Sequence, residues 1–224
     1  MLKNLSKLQC FTLTAMLAAI IFLLTFTPQI GFIQIPFIGF SATILHIPVI
    51  VGAILMGAKY GAILGAVFGL ASMIFATVLS AQLSAFVFTP FRNVPGTDSG
   101  SPWAILIAFG PRILIGVVAA LVYAGLIKFI PKITKGVAAV IAAGLASMTN
   151  TLLVLNLMYF MFREPWTYAR ANAGNEAPQI TYAFIIGSIT GAGIPEAIAA
   201  MVIAPAVCLA IYAVAKRMPQ KQGA

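Results

Sequence analysis

The sequence predicts an all-α integral membrane protein with six transmembrane helices, in a single domain that covers residues 1–224. Two observations support this prediction. Of the 224 residues, 62% are hydrophobic and only 8% are charged, whereas soluble domains carry about 25% charged residues. The hydrophobic residues also form long uninterrupted segments. This pattern indicates helices, because a lipid-facing β-barrel alternates polar and apolar residues at every second position.

The apolar segments predict six spans, which cover residues 8–27, 42–57, 60–80, 103–128, 136–161 and 182–214. An even number of spans places both termini on the same side of the membrane. Nine of the thirteen Lys and Arg residues lie at the termini or in the short connections on that side, and three lie in the long connections 28–41, 81–102 and 162–181. Because cytoplasmic loops are enriched in Lys and Arg, both termini are predicted to be cytoplasmic. The long apolar connections then predict a ligand pocket toward the extracellular side.

The third span begins with glycines at every fourth position from Gly57 to Gly69. Small residues at this spacing form a smooth stripe on which a second helix can approach closely, so we interpret them as packing residues. Ala15 and Ala19 form a shorter stripe of the same kind on the first span. On a terminal helix, such a stripe could equally receive a partner protein.

The fourth span contains one charged residue, Arg112, between Trp103 and Ile127. It lies nine residues after Trp103, which places it ~13 Å below the start of the helix. A guanidinium exposed to lipid at that depth costs at least about 3 kcal/mol, so we expect it to face protein, water or an anion. Pro111 also frees a backbone carbonyl one turn earlier, which neighbouring helices are expected to satisfy. A small ligand site around Arg112 is one interpretation, and a structural ion pair or carbonyl contact is the other.

The fifth span carries several polar residues. Thr149, Asn156, Tyr159 and Arg163 fall on one helical face, and Asn150 lies about 100° around the helix from Thr149. Asparagines within spans often join helices by hydrogen bonds, and a ligand-binding face is the alternative.

Three further residues are candidates for the site. Glu196 is the only acid predicted at membrane depth, and it could pair with Arg112, accept a hydrogen bond from a ligand amide or carry a proton. His46 begins the second span near the outer boundary, where it could form a hydrogen bond at the helix end or contact a ligand. Asn93, in the second long connection, is a further candidate ligand contact.

Several function classes are excluded by what the sequence lacks. A single histidine and one intramembrane acid provide no catalytic constellation, and the distant cysteines Cys10 and Cys208 provide no metal-ligand spacing. No phosphate-binding Gly-Lys-Ser/Thr loop is present, so we expect no ATP hydrolysis by this chain and no cofactor of its own. The net charge of +9 comes from basic residues scattered at span ends without interleaved aromatic residues, so we expect no nucleic-acid partner.

Two stretches and one spacing resemble a known family. They are HIPVIVGAILMGAKYGAILGAVFGL at residues 46–70, PRILIGVVAAL at residues 111–121, and the Ala15-x-x-x-Ala19 pattern. Together with six short-looped helices, they resemble the substrate-binding (S) components of energy-coupling factor (ECF) importers over nearly the whole chain. The HIPVI and PRI stretches look most like the pantothenate-specific members. One departure is Ala58, where relatives commonly have proline in a cytoplasmic turn.

The resemblance implies a plasma-membrane subunit that captures a vitamin outside the cell and releases it inside. Its partners would be a transmembrane coupling (T) subunit, docked at Ala15 and Ala19, and two ABC-type ATPases that use ATP and Mg²⁺. Pantothenate is a small monoanion, so Arg112 would suit its carboxylate, and Asn or Thr side chains would suit its polar middle. The alternatives are an S component for riboflavin, a thiamine precursor or folate, a proton- or sodium-coupled carrier that uses Glu196, and a structural membrane protein without a pocket.

Overall fold

The computed structural model describes residues 6–27, 31–34, 41–80, 84–172 and 182–217. Within these ranges, seven helices and one two-stranded ribbon follow in the order α1 (Lys7–Phe26), β1 (Phe32–Gln34), β2 (Ser41–Thr43), α2 (His46–Met56), α3 (Ala58–Val78), α4 (Trp103–Phe129), α5 (Lys135–Asn172), α6 (Tyr182–Ser188) and α7 (Ile194–Arg217). A 3₁₀ turn, Ala85–Phe88, precedes α4, and a π-helical turn, Ile189–Gly193, joins α6 to α7.

Five helical segments of the described chain are long and apolar enough to cross a membrane. They are α1, α3, α4, the apolar part of α5, and the continuous segment formed by α6, the π turn and α7. The prediction of an integral membrane protein built from apolar helices is therefore confirmed. The short antiparallel ribbon, in which Phe32 pairs with Thr43, was not predicted from the sequence.

The helix in the second predicted span is shorter than the sequence indicated. α2 has 11 residues and is therefore roughly 16 Å long, about half the thickness of the hydrocarbon core. The residues before it belong to β2 and a turn. Every residue of α2 from His46 to Leu55 is buried, and the helix packs against α1, α3, α4, α5 and α7. This short helix therefore lies at the centre of the bundle, with little surface for lipid.

The glycine stripe of α3 packs directly on the backbone of α4. A Cβ added at Gly61, Gly65 or Gly69 would lie 2.2–2.8 Å from a carbonyl oxygen of α4, and the closest of these contacts is with the carbonyl of Arg112. The packing role predicted for the stripe is confirmed at these three positions. Gly57 has a different role. It lies in the tight turn between α2 and α3 and has a φ of 95°, which glycine adopts more readily than other residues.

The fifth helix extends well beyond the predicted span. α5 continues to Asn172, with a kink at Phe162, where φ is −131° and ψ is 18°. Pro165 lies just after the kink and cannot donate the hydrogen bond of a regular helix. Residues 162–172, expected to form part of a long loop, are therefore helical, and residues 173–181 lie outside the described ranges.

The extension of α5 is fixed by aromatic packing. Phe162 and Trp166 are both about 1% exposed, and their ring centroids lie 5.8 Å and 6.4 Å from that of Phe86. Phe86 belongs to the 3₁₀ turn before α4. Aromatic pairs at these separations are favourable, so this cluster holds the connection before α4 against the end of the bundle.

Candidate functional site

A cavity of about 130 Å³ lies between α3, α4, α5 and α7, beside the 3₁₀ turn. One water needs 10–15 Å³, so the space is large enough for a small organic molecule. Residues of the last two turns of α3 and of the first half of α4 line the cavity. It therefore lies in the half of the bundle away from the described termini. Its polar lining includes Arg112, Glu196 and Asn150, together with the hydroxyl groups of Thr43, Ser72, Ser80, Ser84, Thr151 and Ser188.

Arg112 reaches the cavity from α4 and is only 7% exposed. Its Nη1 donates a hydrogen bond of 2.7 Å to the carbonyl oxygen of Ile107. That carbonyl lies four residues before Pro111, which has no N–H to donate to it. The carbonyl freed by Pro111 is thus satisfied by the Arg112 side chain of the same helix, and not by a neighbouring helix as expected from the sequence.

Two aromatic rings and several unused donors surround the rest of the guanidinium. Its central carbon lies 5.5 Å from the ring centroid of Phe68 and 4.9 Å from that of Phe88, both within range of a cation–π interaction. Nε is buried without a hydrogen-bond partner among the described residues. Nη2 also makes no hydrogen bond with them. Nε and Nη2 lie along one edge of the planar group, so one full edge remains for a ligand.

Glu196 reaches the cavity from the first turn of α7 and is 8% exposed. Its Oε1 accepts a hydrogen bond from the backbone N–H of Thr43 in β2, and the Thr151 side chain lies near the carboxylate. The charges of Glu196 and Arg112 attract each other. Within the described chain no direct ion pair joins them, so the structure does not form the close pair that the sequence suggested.

The π turn positions Glu196. It adds a residue to a helical turn and so changes the direction in which the following side chains point. A Cβ added at Gly193, in this turn, would lie 2.7 Å from Cγ2 of Thr151, so only glycine allows α5 to approach this closely. Ala192 and Gly193 line the cavity together with Glu196, which places the irregular turn at the wall of the site.

The cavity side of α5 differs from the face singled out in the sequence. Asn150 is 7% exposed and lines the cavity, with its Oδ1 buried and without a partner among the described residues. Thr149 and Asn156 do not line the cavity. Each donates a 2.7 Å hydrogen bond to a carbonyl of its own helix, at Leu145 and Leu152 respectively. The face of α5 that lines the cavity is therefore the one that carries Asn150, about 100° around the helix axis from the predicted face.

Three other predicted ligand contacts also lie away from the cavity lining. His46 is buried, and its Nε2 lies 3.2 Å from the hydroxyl of Ser147, which joins α2 to α5. Tyr159 is half-buried beside the exposed guanidinium of Arg163, whose carbon lies 5.5 Å from the tyrosine ring centroid. Asn93 is exposed in the connection before α4.

The sequence did not single out the hydroxyl groups or Phe88 as parts of the site. The hydroxyl residues are spread over β2, α3, α5, α6 and the connection before α4. Serine and threonine are common in transmembrane helices because they can bond to their own backbone, as Thr149 does. A lone hydroxyl residue was therefore too weak a signal to identify the site.

The two alanines proposed for docking lie on the least buried helix. Ala15 and Ala19 are exposed on α1, next to the exposed side chains of Phe11, Met16 and Leu23. The opposite side of α1, which includes Leu17 and Ile21, is buried against the bundle. This arrangement leaves an apolar surface with small residues at its middle.

Comparisons with known proteins identify a family and two relatives. The family model described as "ECF transporter, substrate-specific component" matches residues 9–208. A "Pantothenic acid transporter PanT" of Lactococcus lactis subsp. cremoris is 44% identical over 121 residues, which is 54% of this chain and 57% of that protein. A "Pantothenate transporter PanT" of Leuconostoc mesenteroides is 25% identical over 215 residues, which is 95% of this chain and 96% of that protein.

The family model covers most of the chain, and the five long apolar helices agree with a multi-pass protein of the plasma membrane. The chain therefore belongs to the family of substrate-specific components of ECF transporters.

Proposed function

We propose that this chain captures pantothenate for an ATP-driven importer and that Arg112 binds the carboxylate of the vitamin. The observation that supports this most directly is a buried guanidinium that lines a cavity and uses one nitrogen for a protein hydrogen bond. The names of the two relatives, both pantothenate transporters, favour pantothenate over riboflavin, a thiamine precursor or folate. Membership of the family favours an importer subunit over a proton- or sodium-coupled carrier.

The geometry of Arg112 suits a carboxylate. Nη1 is held by the carbonyl of Ile107, so the edge formed by Nε and Nη2 is left for two parallel hydrogen bonds to a carboxylate. Phe68 and Phe88 pack near the guanidinium carbon and limit its movement. A lysine at this position would offer neither the fork of donors nor the planar surface for the rings.

The direction of transport follows from charge and from the position of the cavity. Nine of the thirteen basic residues lie at the termini or in the short connections on the same side, so in the proposed orientation that side is cytoplasmic and the cavity opens toward the outside. Release would occur on the inside after the subunit docks.

Docking would use the exposed side of α1 around Ala15 and Ala19. Small side chains at this spacing let a helix of the transmembrane coupling subunit approach closely. Two ABC-type ATPases bound to that subunit would supply the energy from ATP and Mg²⁺, because this chain has no phosphate-binding loop.

The carboxylate role of Arg112 is tested by comparing pantothenate with its uncharged alcohol analogue. Both are titrated into the detergent-purified subunit by calorimetry. The wild type should strongly prefer the acid, and Arg112→Gln should lose about 3–5 kcal/mol of acid binding, roughly two to three and a half powers of ten in Kd, together with the preference. Arg163→Gln is the matched control, because Arg163 is exposed and does not line the cavity. Equal affinity of the wild type for acid and alcohol would refute the assignment.

A double variant separates the ligand role from a purely structural one. If Arg112 binds the ligand, adding Glu196→Gln to Arg112→Gln should not restore pantothenate binding. If Arg112 only balances the charge of Glu196, the double variant should recover both thermal stability and binding.

A further inference from the structure

We propose that Glu196 is a specificity-determining residue that accepts hydrogen bonds from hydroxyl groups at the end of the ligand remote from its carboxylate. This inference rests on the proposed function, because it assumes that the carboxylate lies at Arg112. It gives the second charged group of the cavity a role in choosing among acids of similar size.

The two charged side chains lie on different walls of the cavity. Arg112 projects from α4 and lies beside Phe68 and Phe88, whereas Glu196 projects from α7 and lies beside Thr43 and Thr151. In the described chain they are not joined by a direct ion pair. A buried acid and base that do not pair directly leave a place between them where a ligand can contact both.

The signs of these charges fix the orientation of an anionic ligand. Its carboxylate is attracted to Arg112 and repelled by Glu196, so the uncharged end is directed toward Glu196. Guanidinium is only a donor, and carboxylate is only an acceptor. The end of the ligand at Glu196 must therefore supply O–H or N–H groups.

Glu196 has acceptor positions left for such groups. The two carboxylate oxygens offer about four acceptor positions, and among the described residues the Thr43 N–H uses one of them. Unused acceptors of a buried charged group are costly, and hydrogen bonds to a charged group are about twice as strong as those between neutral groups. Two hydroxyl groups fit within this remaining capacity.

The ligand itself has the matching order of groups. Pantothenate carries a carboxylate at one end, an amide in the middle and two hydroxyls at the other end. The side-chain amide of Asn150, which has no hydrogen-bond partner in the described chain, lines the same cavity and can pair with an amide, because both groups donate and accept. The two hydroxyl groups can then donate hydrogen bonds to the carboxylate of Glu196.

The test compares pantothenate with the acyl-β-alanine that has the same carbon skeleton but lacks both hydroxyls. Each acid is titrated into the purified full-length chain by calorimetry. The wild type should bind pantothenate roughly tenfold to a hundredfold more tightly than the analogue. This ratio should fall to near one in Glu196→Ala and to an intermediate value in Glu196→Gln, because glutamine still accepts but carries no charge. Glu164→Gln, at an exposed glutamate, should keep the wild-type ratio.

Two results would overturn the assignment of Glu196. One is a wild type that binds both acids equally, and the other is a Glu196→Gln variant that keeps the full ratio. Glu196→Gln can still accept the hydrogen bond from the Thr43 N–H, so it decides the question if Glu196→Ala does not fold. The preference for acid over alcohol is measured on the same preparations. If that preference persists while the hydroxyl ratio is near one, the Glu196 proposal fails and the Arg112 assignment stands. If the wild type lacks that preference, the proposed function fails.

Discussion

The contact between α3 and α4 predicts that a single methyl group at Gly65 will disturb both the stability of the protein and the position of Arg112. In Gly65→Ala, the new Cβ would lie 2.2 Å from the carbonyl oxygen of Arg112 and 2.7 Å from Cα of Ile113. Real Cβ contacts essentially never fall below 3.0 Å, so the two backbones must separate by at least about 0.8 Å. Both obstructing atoms are backbone, so no side chain can rotate away to relieve the contact.

The cost follows from close packing. An extra group in a packed interior typically lowers the free energy of unfolding by about 1–3 kcal/mol, and we expect a decrease in this range for Gly65→Ala. The displaced atom belongs to Arg112 itself. A binding group must be held within about 0.5 Å of its working position, so we also expect pantothenate affinity to fall roughly tenfold.

Two other glycines provide graded controls. At Gly61 the closest backbone oxygen is 2.7 Å from the added Cβ, so Gly61→Ala needs a shift of only about 0.3 Å. At Gly125, in the second half of α4, nothing lies within 4 Å. Gly125→Ala should be neutral or stabilising by up to about 1 kcal/mol, because alanine favours a helix more than glycine.

The assay is thermal unfolding in one detergent, followed by pantothenate titration of each variant. The expected order of stability is Gly125→Ala, then Gly61→Ala, then Gly65→Ala, with the loss of ligand affinity concentrated in the last. The reasoning is refuted if Gly65→Ala unfolds at the same temperature as Gly125→Ala and binds pantothenate with wild-type affinity.

Three further predictions concern topology, docking and packing. In a cysteine-free background, an impermeant thiol reagent should label a cysteine at the exposed Ser99 in intact cells and should not label one at Gln220; the reverse pattern would invert the proposed orientation. Replacement of Ala15 and Ala19 with Trp should abolish pantothenate uptake and leave binding by the isolated subunit unchanged, and normal uptake at normal expression would contradict the docking role. Trp166→Ala should lower the free energy of unfolding by about 3–5 kcal/mol, because the side chain is 1% exposed; a loss below about 1 kcal/mol would show that the aromatic cluster contributes little.

Local patterns predicted α3 and α4 closely. The span predicted at 60–80 corresponds to Ala58–Val78, and the span at 103–128 corresponds to Trp103–Phe129. Both segments are continuously apolar, and a chain in lipid must satisfy its backbone hydrogen bonds within the helix. Hydropathy alone was therefore enough to define them.

The extent of α2 and α5 depended on contacts that hydropathy does not contain. Residues 42–57 are apolar, but the first of them pair in a ribbon with Phe32–Gln34, and the remaining helix is enclosed by five others. Residues 162–172 contain charged residues and Pro165, which favoured a loop, yet burial of Phe162 and Trp166 beside Phe86 stabilises a helix there. In each case tertiary packing overrode the local preference.

The sequence by itself determined that the chain is a bundle of apolar helices, that Arg112 needs a polar environment within it, and that its motifs resemble the S components. Only the tertiary structure decided which polar residues meet. Helical periodicity gives the angle between two side chains, such as Thr149 and Asn150, but not which of them points to a neighbouring helix. The rotation of each helix about its own axis sets that direction. The contact of Gly65 with the backbone at Arg112 orients α3 and α4, and the π turn before Glu196 orients α7. These contacts place Arg112, Asn150 and Glu196 around one cavity, because small residues let the helices approach closely on those faces.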